Sequence, residues 1–282
     1  MFKKIFLFIL FLFMSLFFTT SNASSEPLFI FCGAAFKHPM KDVISLYKQK
    51  KKEVDIHYAS VTTLLSQALL TKQGDVFIVP SPDIMEKAIK KGVVIPESVK
   101  NFGFVVPAIN VQKGNPKNIH GLKDLARPGI RVGLANPEIV YVGAIATEII
   151  ENALTPQEKK AIQENIVTYA EDFNKLSTLL ILNHVDAIIG FHFLERWYPD
   201  KVSTVKFKAN EIARIGSIQV GIIAYTNKRK EAENFIDFLL MDGKEIFKKY
   251  HYFGTAEEAF QFVGEKKPIG GEFKVITNRL KK

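Results

Sequence analysis

The sequence predicts an α/β chain folded as two lobes with a hinge and an interlobe cleft. Three observations predict it. Short apolar runs alternate with segments whose apolar residues recur at helical spacing from Leu28 onward, and the same alternation starts again after Ile130. Two long extended apolar runs, residues 102–111 and 218–226, read as the places where the chain passes between the lobes. The order strand, helix, strand implies parallel sheets covered by helices on both faces.

The first lobe begins with the apolar run 28–32, a loop at Gly33, Ala34 and Ala35, and a helix over 39–50 carrying Met40, Val43, Ile44 and Tyr47 on one face. A second strand covers 55–58, and Ser60 stands as N-cap of a helix bearing Leu64, Leu65, Ala68 and Leu69. Gly74 and Asp75 introduce a buried strand over 76–79. Pro82 opens a third helix that stops at Gly92.

The second lobe carries a helical turn at 121–125, strands at 130–134, 166–169 and 187–191, and helices at 143–152, 156–165 and 173–182. Two closing helices follow at 230–240 and 244–250. These elements divide the chain into a signal peptide (1–23), a first lobe made from 24–107 and 218–254, a second lobe (108–217) and a C-terminal extension (255–282).

The leader has Lys3 and Lys4, then an uncharged run from Ile5 to Phe18, then Ser21-Asn22-Ala23. The apolar run is shorter than the roughly 20 residues a spanning helix needs, and small residues follow it, so cleavage after Ala23 and release into the periplasm are expected. The single cysteine, Cys32, lies inside an apolar run well beyond Ala23, which gives neither a lipid-anchor signal nor an internal disulfide and suits a buried core thiol.

The net charge of +9 includes the two leader lysines, and the rest is spread over solvated helix faces, so it identifies no partner by itself. Basic clusters interleaved with aromatics are missing, which argues against a nucleic-acid partner. No Gly-x-Ser-x-Gly, His-Glu-x-x-His or phosphate-binding glycine loop is present, so the sequence points to a binding protein without cofactor and not to an enzyme.

A set of short strings in fixed order resembles the type II periplasmic solute-binding proteins, and in particular the molybdate-binding proteins of ABC importers. They are Gly33-Ala34-Ala35, residues 58–64 (Tyr-Ala-Ser-Val-Thr-Thr-Leu), Gly74-Asp75-Val76-Phe77-Ile78, Asn136-Pro137-Glu138 with Gly143, Ala170-Glu171-Asp172, residues 186–191, and the closing 235–239 and 246–250. The resemblance spans roughly 28–254. It implies the two-lobed type II fold, capture of a small oxyanion such as molybdate or tungstate, delivery to a membrane permease, and a monomer.

The resemblance also places the ligand positions. The family's two loop serines fall on Ala35 and Val61, its tyrosine on Phe191, and its small apolar contacts on Val142 and Phe173. A one-residue shift brings Ser60 or Thr62 to the second loop. Each lost hydroxyl bond to a desolvated anion forfeits about 1.5–3 kcal/mol. Recognition is therefore expected to rest on backbone N–H groups around Ala35, Thr62 and Val142, with Lys37 or His38 as counter-charge and Tyr58 and Tyr141 nearby. Asp172 is expected to cap the helix at Phe173. The rival reading is a metal ion or metal chelate held by His38, His57, Tyr58, Glu138, Tyr141 and His192, without any tight ligand spacing to support it.

Overall fold

A computed structural model describes residues 26–50 and 53–271; the signal peptide expected at 1–23 and the last residues of the extension lie outside it. In the first lobe β1 (Leu28–Gly33) is followed by a 3-10 turn (Ala34–Phe36) and α1 (Lys37–Gln49). Then come β2 (Val54–Ala59), α2 (Val61–Thr71), β3 (Val76–Val79), α3 (Pro82–Lys90) and β4 (Lys100–Val105). The second lobe holds β5 (Pro107–Gln112), β6 (Val132–Ala135), α4 (Tyr141–Ala153), α5 (Pro156–Asn165), β7 (Ile166–Ala170), α6 (Phe173–Ile181), β8 (Ala187–Phe191), α7 (Leu194–Trp197) and β9 (Val202–Val205). The chain returns with β10 (Gly216–Ile222) and ends in α8 (Arg229–Phe238), α9 (Lys244–Lys249) and α10 (Ala256–Val263).

The two sheets have matching orders, β2-β1-β3-β10-β4 and β7-β6-β8-β5-β9. Neither is wholly parallel, which corrects the sequence expectation. β1 runs parallel to β2 and β3, but β10 is antiparallel to β3 and β4; β6 runs parallel to β7 and β8, but β5 is antiparallel to β8 and β9. A parallel neighbour requires a covering crossover within one lobe. β5 and β10 instead arrive from the other lobe and enter reversed.

The run at 102–111 is two strands, one in each sheet, broken at Val106. That break is pinned: the Val106 N–H donates to His192 Nδ1 at 3.1 Å and its carbonyl accepts the His192 N–H at 3.0 Å. The return passage lies between β9 and β10, ahead of the run at 218–226, whose front half is already paired with β3 and β4.

Local chemistry explains the element ends. Ser60 Oγ accepts the Thr63 N–H, Ser81 Oγ accepts the Ile84 N–H, and Thr155 and Glu158 form a capping box at α5. Gly74, at φ +103°, turns the chain into β3 where an added Cβ would sit 2.6 Å from the Phe31 ring. Every residue of β3 and of β8 is buried, as central strands covered on both faces must be. Cys32 is part of this core, and burial pushes its thiol pKa up. Among the described residues no helix is long and apolar enough to cross a membrane.

Candidate functional site

The carboxyl ends of β1, β2 and β3 in one sheet and of β8 in the other meet at one small cavity of about 20 Å³. The first lobe supplies Gly33, Ala34 and Ala35 after β1, Ala59, Ser60 and Val61 after β2, and Pro80 after β3. The second supplies Val140, Tyr141 and Val142 at the start of α4, Phe173 at the start of α6, and Phe191 at the end of β8. This is where an α/β sheet presents ligand sites, outside the strand ends.

The lining carries no charged side chain, and its walls are apolar. Polar character comes from two side chains and from the backbone. Ser60 Oγ lies 2.6 Å from Thr63 Oγ1. Tyr141 is buried, its hydroxyl has no hydrogen-bond partner among the described residues, and burial raises its pKa well above the ordinary phenol value.

Three helices begin at this cavity: α2 at Val61, α4 at Tyr141 and α6 at Phe173. The first-turn N–H groups of a helix have no partner inside it and concentrate positive potential. In α2 the Thr63 N–H is taken by Ser60, and in α6 the Lys175 N–H is taken by Asp172 at 2.9 Å, the capping role the sequence predicts. α4 differs. Its N-cap is Val140, which has no capping side chain, and its intrahelical ladder starts only with the Ala144 N–H donating to the Val140 carbonyl. The helix can start so close to β6 because Gly143 carries no side chain: a Cβ there would lie 2.3 Å from the Ala135 carbonyl oxygen.

Behind Tyr141, Arg214 on the return passage ties the lobes. Its side chain, 5% exposed, reaches Asp83 of α3 at 2.6 Å and Glu148 of α4 at 2.8 Å. Its Nη1 also donates to the Gly271 carbonyl at 2.7 Å, and the Gly271 N–H donates to Asp83 at 2.9 Å, so the C-terminal segment is fastened to the same cluster. No sequence signal marks Arg214 as structural.

The family of bacterial extracellular solute-binding proteins matches residues 28–253. The chain belongs to this family. Among its relatives, a Haemophilus influenzae chain described as a binding protein is 25% identical over 79% of this solute-binding protein and 89% of the relative. A Bacillus subtilis chain described as an ABC transporter substrate-binding lipoprotein, YvgL, is 26% identical over 85% of this chain and 90% of its own length. The periplasmic molybdate-binding protein of Azotobacter vinelandii superposes with a TM-score of 0.69 at 18% identity, covering 80% of this chain and 98% of that one, a likeness in fold.

Of the residues the sequence singles out in this solute-binding protein, Ala35, Ser60, Val61, Tyr141, Val142, Phe173 and Phe191 line the cavity together. Four lie elsewhere. Lys37 is exposed on α1. His38 stacks on Trp197 at 4.4 Å between ring centroids, and its Nε2 lies 3.1 Å from the Tyr198 hydroxyl. Tyr58 sits within β2 opposite Cys32, one residue short of the lining. The Thr62 N–H is spent on the Ile139 carbonyl at 3.5 Å.

The candidates for metal ligation are dispersed: Glu138 is exposed, His192 is locked at the Val106 passage, and among the described residues no group of three or more His, Cys, Asp or Glu is placed to hold an ion. Sequence reasoning missed Gly33, Ala34, Ala59, Pro80 and Val140 as wall residues, since small apolar side chains carry no chemical signal.

Proposed function

We propose that this solute-binding protein captures a small oxyanion of the molybdate or tungstate kind between its lobes, outside the cytoplasmic membrane, and delivers it to the permease of an ABC importer. The observation that carries the reading is the uncapped N-terminus of α4, which opens on a cavity without any carboxylate and faces the start of α2 across it. Such an arrangement attracts an anion and repels a cation, through oriented N–H groups that survive side-chain substitution. The likeness in fold to a molybdate-binding protein and the relative described as a transporter component support the class.

Binding then runs through the backbone of Ala35 and of the first turn of α4, with Ser60 and Tyr141 as the side-chain hydroxyls within reach. Lys37 and His38 stand outside the lining, so no side-chain counter-charge is assigned. The dehydrated anion is balanced by helix termini instead. With a cavity of about 20 Å³ in the closed form, entry of an oxyanion requires the lobes to part and re-close around it.

Elemental and mass analysis of whatever co-purifies with the chain beginning at Ser24 tests the proposal. Molybdenum, tungsten or another oxyanion element in stoichiometric amount is the expected result. A stoichiometric divalent metal or an uncharged organic solute would contradict it.

A further inference from the structure

A segment of the second lobe that starts at the cavity wall runs along the first lobe and touches it at nearly every step. After Phe191, the Nε2 of His192 meets the His251 carbonyl at 2.8 Å, and Phe193 stacks on Tyr252 at 4.1 Å. Tyr252 in turn donates its hydroxyl to the carbonyl of Ala35, another wall residue. Arg196 Nε donates to the Lys249 carbonyl at 3.0 Å. The segment ends on α1 of the first lobe, where Trp197, 7% exposed, lies flat on His38 and the Tyr198 hydroxyl meets His38 Nε2.

We propose that His38, Trp197 and Tyr198 form a clasp between the lobes that holds the cleft closed and releases when His38 takes up a proton. The His38–Tyr198 contact joins residues 160 positions apart in sequence, one from each lobe, while Trp197 also packs on Phe173 and Phe193 of its own lobe. The contact between lobes therefore exists only while they are together.

The surroundings of His38 set the direction. Its own helix presents Lys37 and Lys41 as cations and Asp42 as the opposing carboxylate, which already accepts the Tyr250 hydroxyl at 2.8 Å from the C-terminal helices. The facing element presents the neutral Tyr198 hydroxyl, and its one cation, Arg196, is turned to the Lys249 carbonyl. Burial first, then Lys37 and Lys41, hold the His38 pKa below its ordinary value, with Asp42 opposing.

An open cleft returns the imidazole to water and lifts the burial contribution, while Lys37 and Lys41 stay beside it on the same helix, so its pKa rises towards the ordinary value of about 6.5. Between the two values the open form binds a proton that the closed form does not. The clasp is therefore intact above about pH 6.5 and weakens as pH falls below it, through the lowered value of the closed form.

The test needs no solute, so it fails or succeeds independently of the oxyanion reading. Trp197 is the single tryptophan of the chain, and its emission reports this contact directly. Emission wavelength and radius of gyration by small-angle scattering are followed from pH 8 to pH 5 for the wild type, His38→Phe, which keeps a ring against Trp197 but cannot titrate, and Tyr198→Phe, which keeps the ring and loses the hydroxyl.

In the wild type a red shift and an expansion are expected below about pH 6.5. His38→Phe is expected to stay compact and unshifted throughout. Tyr198→Phe should open at higher pH than the wild type. A wild type with no transition, a His38→Phe variant that retains it, or a Tyr198→Phe midpoint equal to the wild type's would overturn the clasp.

Discussion

Thr62 and Ile139 are joined directly across the cleft, the backbone N–H of the one donating to the carbonyl of the other at 3.5 Å. The bond couples the first turn of α2 to the loop that leads into α4. It links the two lobes at the mouth of the cavity, so parting the lobes frees the Thr62 amide. Hydrogen exchange resolved to short peptides should show this amide slowed by a saturating oxyanion. The Ala144 amide, held inside α4 by the Val140 carbonyl at 3.1 Å, should be slow in either condition.

Gly143 sets how closely α4 approaches β6. In a Gly143→Ala variant the new Cβ would meet backbone atoms of Ala135, at 2.3 Å from the oxygen and 2.7 Å from the carbon, and backbone cannot swing aside. Overpacking of this kind costs about 1–3 kcal/mol, and the start of α4 is displaced from the cavity. Denaturant unfolding should show the loss, with weaker oxyanion binding alongside. Gly121→Ala, where a Cβ meets nothing within 4 Å, is the control with little change expected.

How much of this was legible in the sequence depended on whether the signal was local. Helix α5 could be read from Thr155, Pro156 and Glu158, and β8 from its unbroken apolar run, because each is specified by its own residues. The reversed direction of β5 and β10 could not, since it follows from which lobe the chain has just left. The short α7 and β9 gave too few residues for any period to show. α10 did leave a signal, the Thr255 and Glu258 capping box, inside what read only as an extension.

The same division holds at the site. The apolar wall residues Ala35, Val61, Val142, Phe173 and Phe191 could be named because the resemblance to the molybdate-binding proteins maps that family's ligand positions onto them, and all five line the cavity. The placement of His38 could not, because its partners Trp197 and Tyr198 come from the other lobe.

Arg214 is the buried ion that fastens Asp83 in one lobe to Glu148 in the other. Removing one member of such a cluster leaves uncompensated buried charge, so Arg214→Met should cost about 3–5 kcal/mol in unfolding free energy. Neutralising the partners as well, in Asp83→Asn/Glu148→Gln/Arg214→Met, should recover most of that loss. Equal destabilisation in both would show that Arg214 acts by packing and not by charge.

His192 gives the fold its own acid sensitivity. Its Nε2 faces the His251 carbonyl and so carries the proton, while Nδ1 accepts the Val106 N–H. Burial pushes its pKa down to about 4. The unfolded chain takes up a proton near pH 6.5 and the folded chain does not, so stability is full above that pH and falls as the pH drops towards 4, by on the order of 3 kcal/mol in all. Urea midpoints measured between pH 8 and pH 4 should decline accordingly. His192→Gln should be less stable at pH 8 but show a flatter profile.

The central claim is that the cavity between the two lobes binds an oxyanion without a side-chain counter-charge. Isothermal calorimetry of the chain beginning at Ser24 with molybdate, tungstate and sulfate, repeated on Lys37→Ala, measures this most directly. One-to-one saturable binding of at least one of these anions, retained in Lys37→Ala, is the predicted result. Absence of binding heat with all three, or binding abolished by Lys37→Ala, would contradict it.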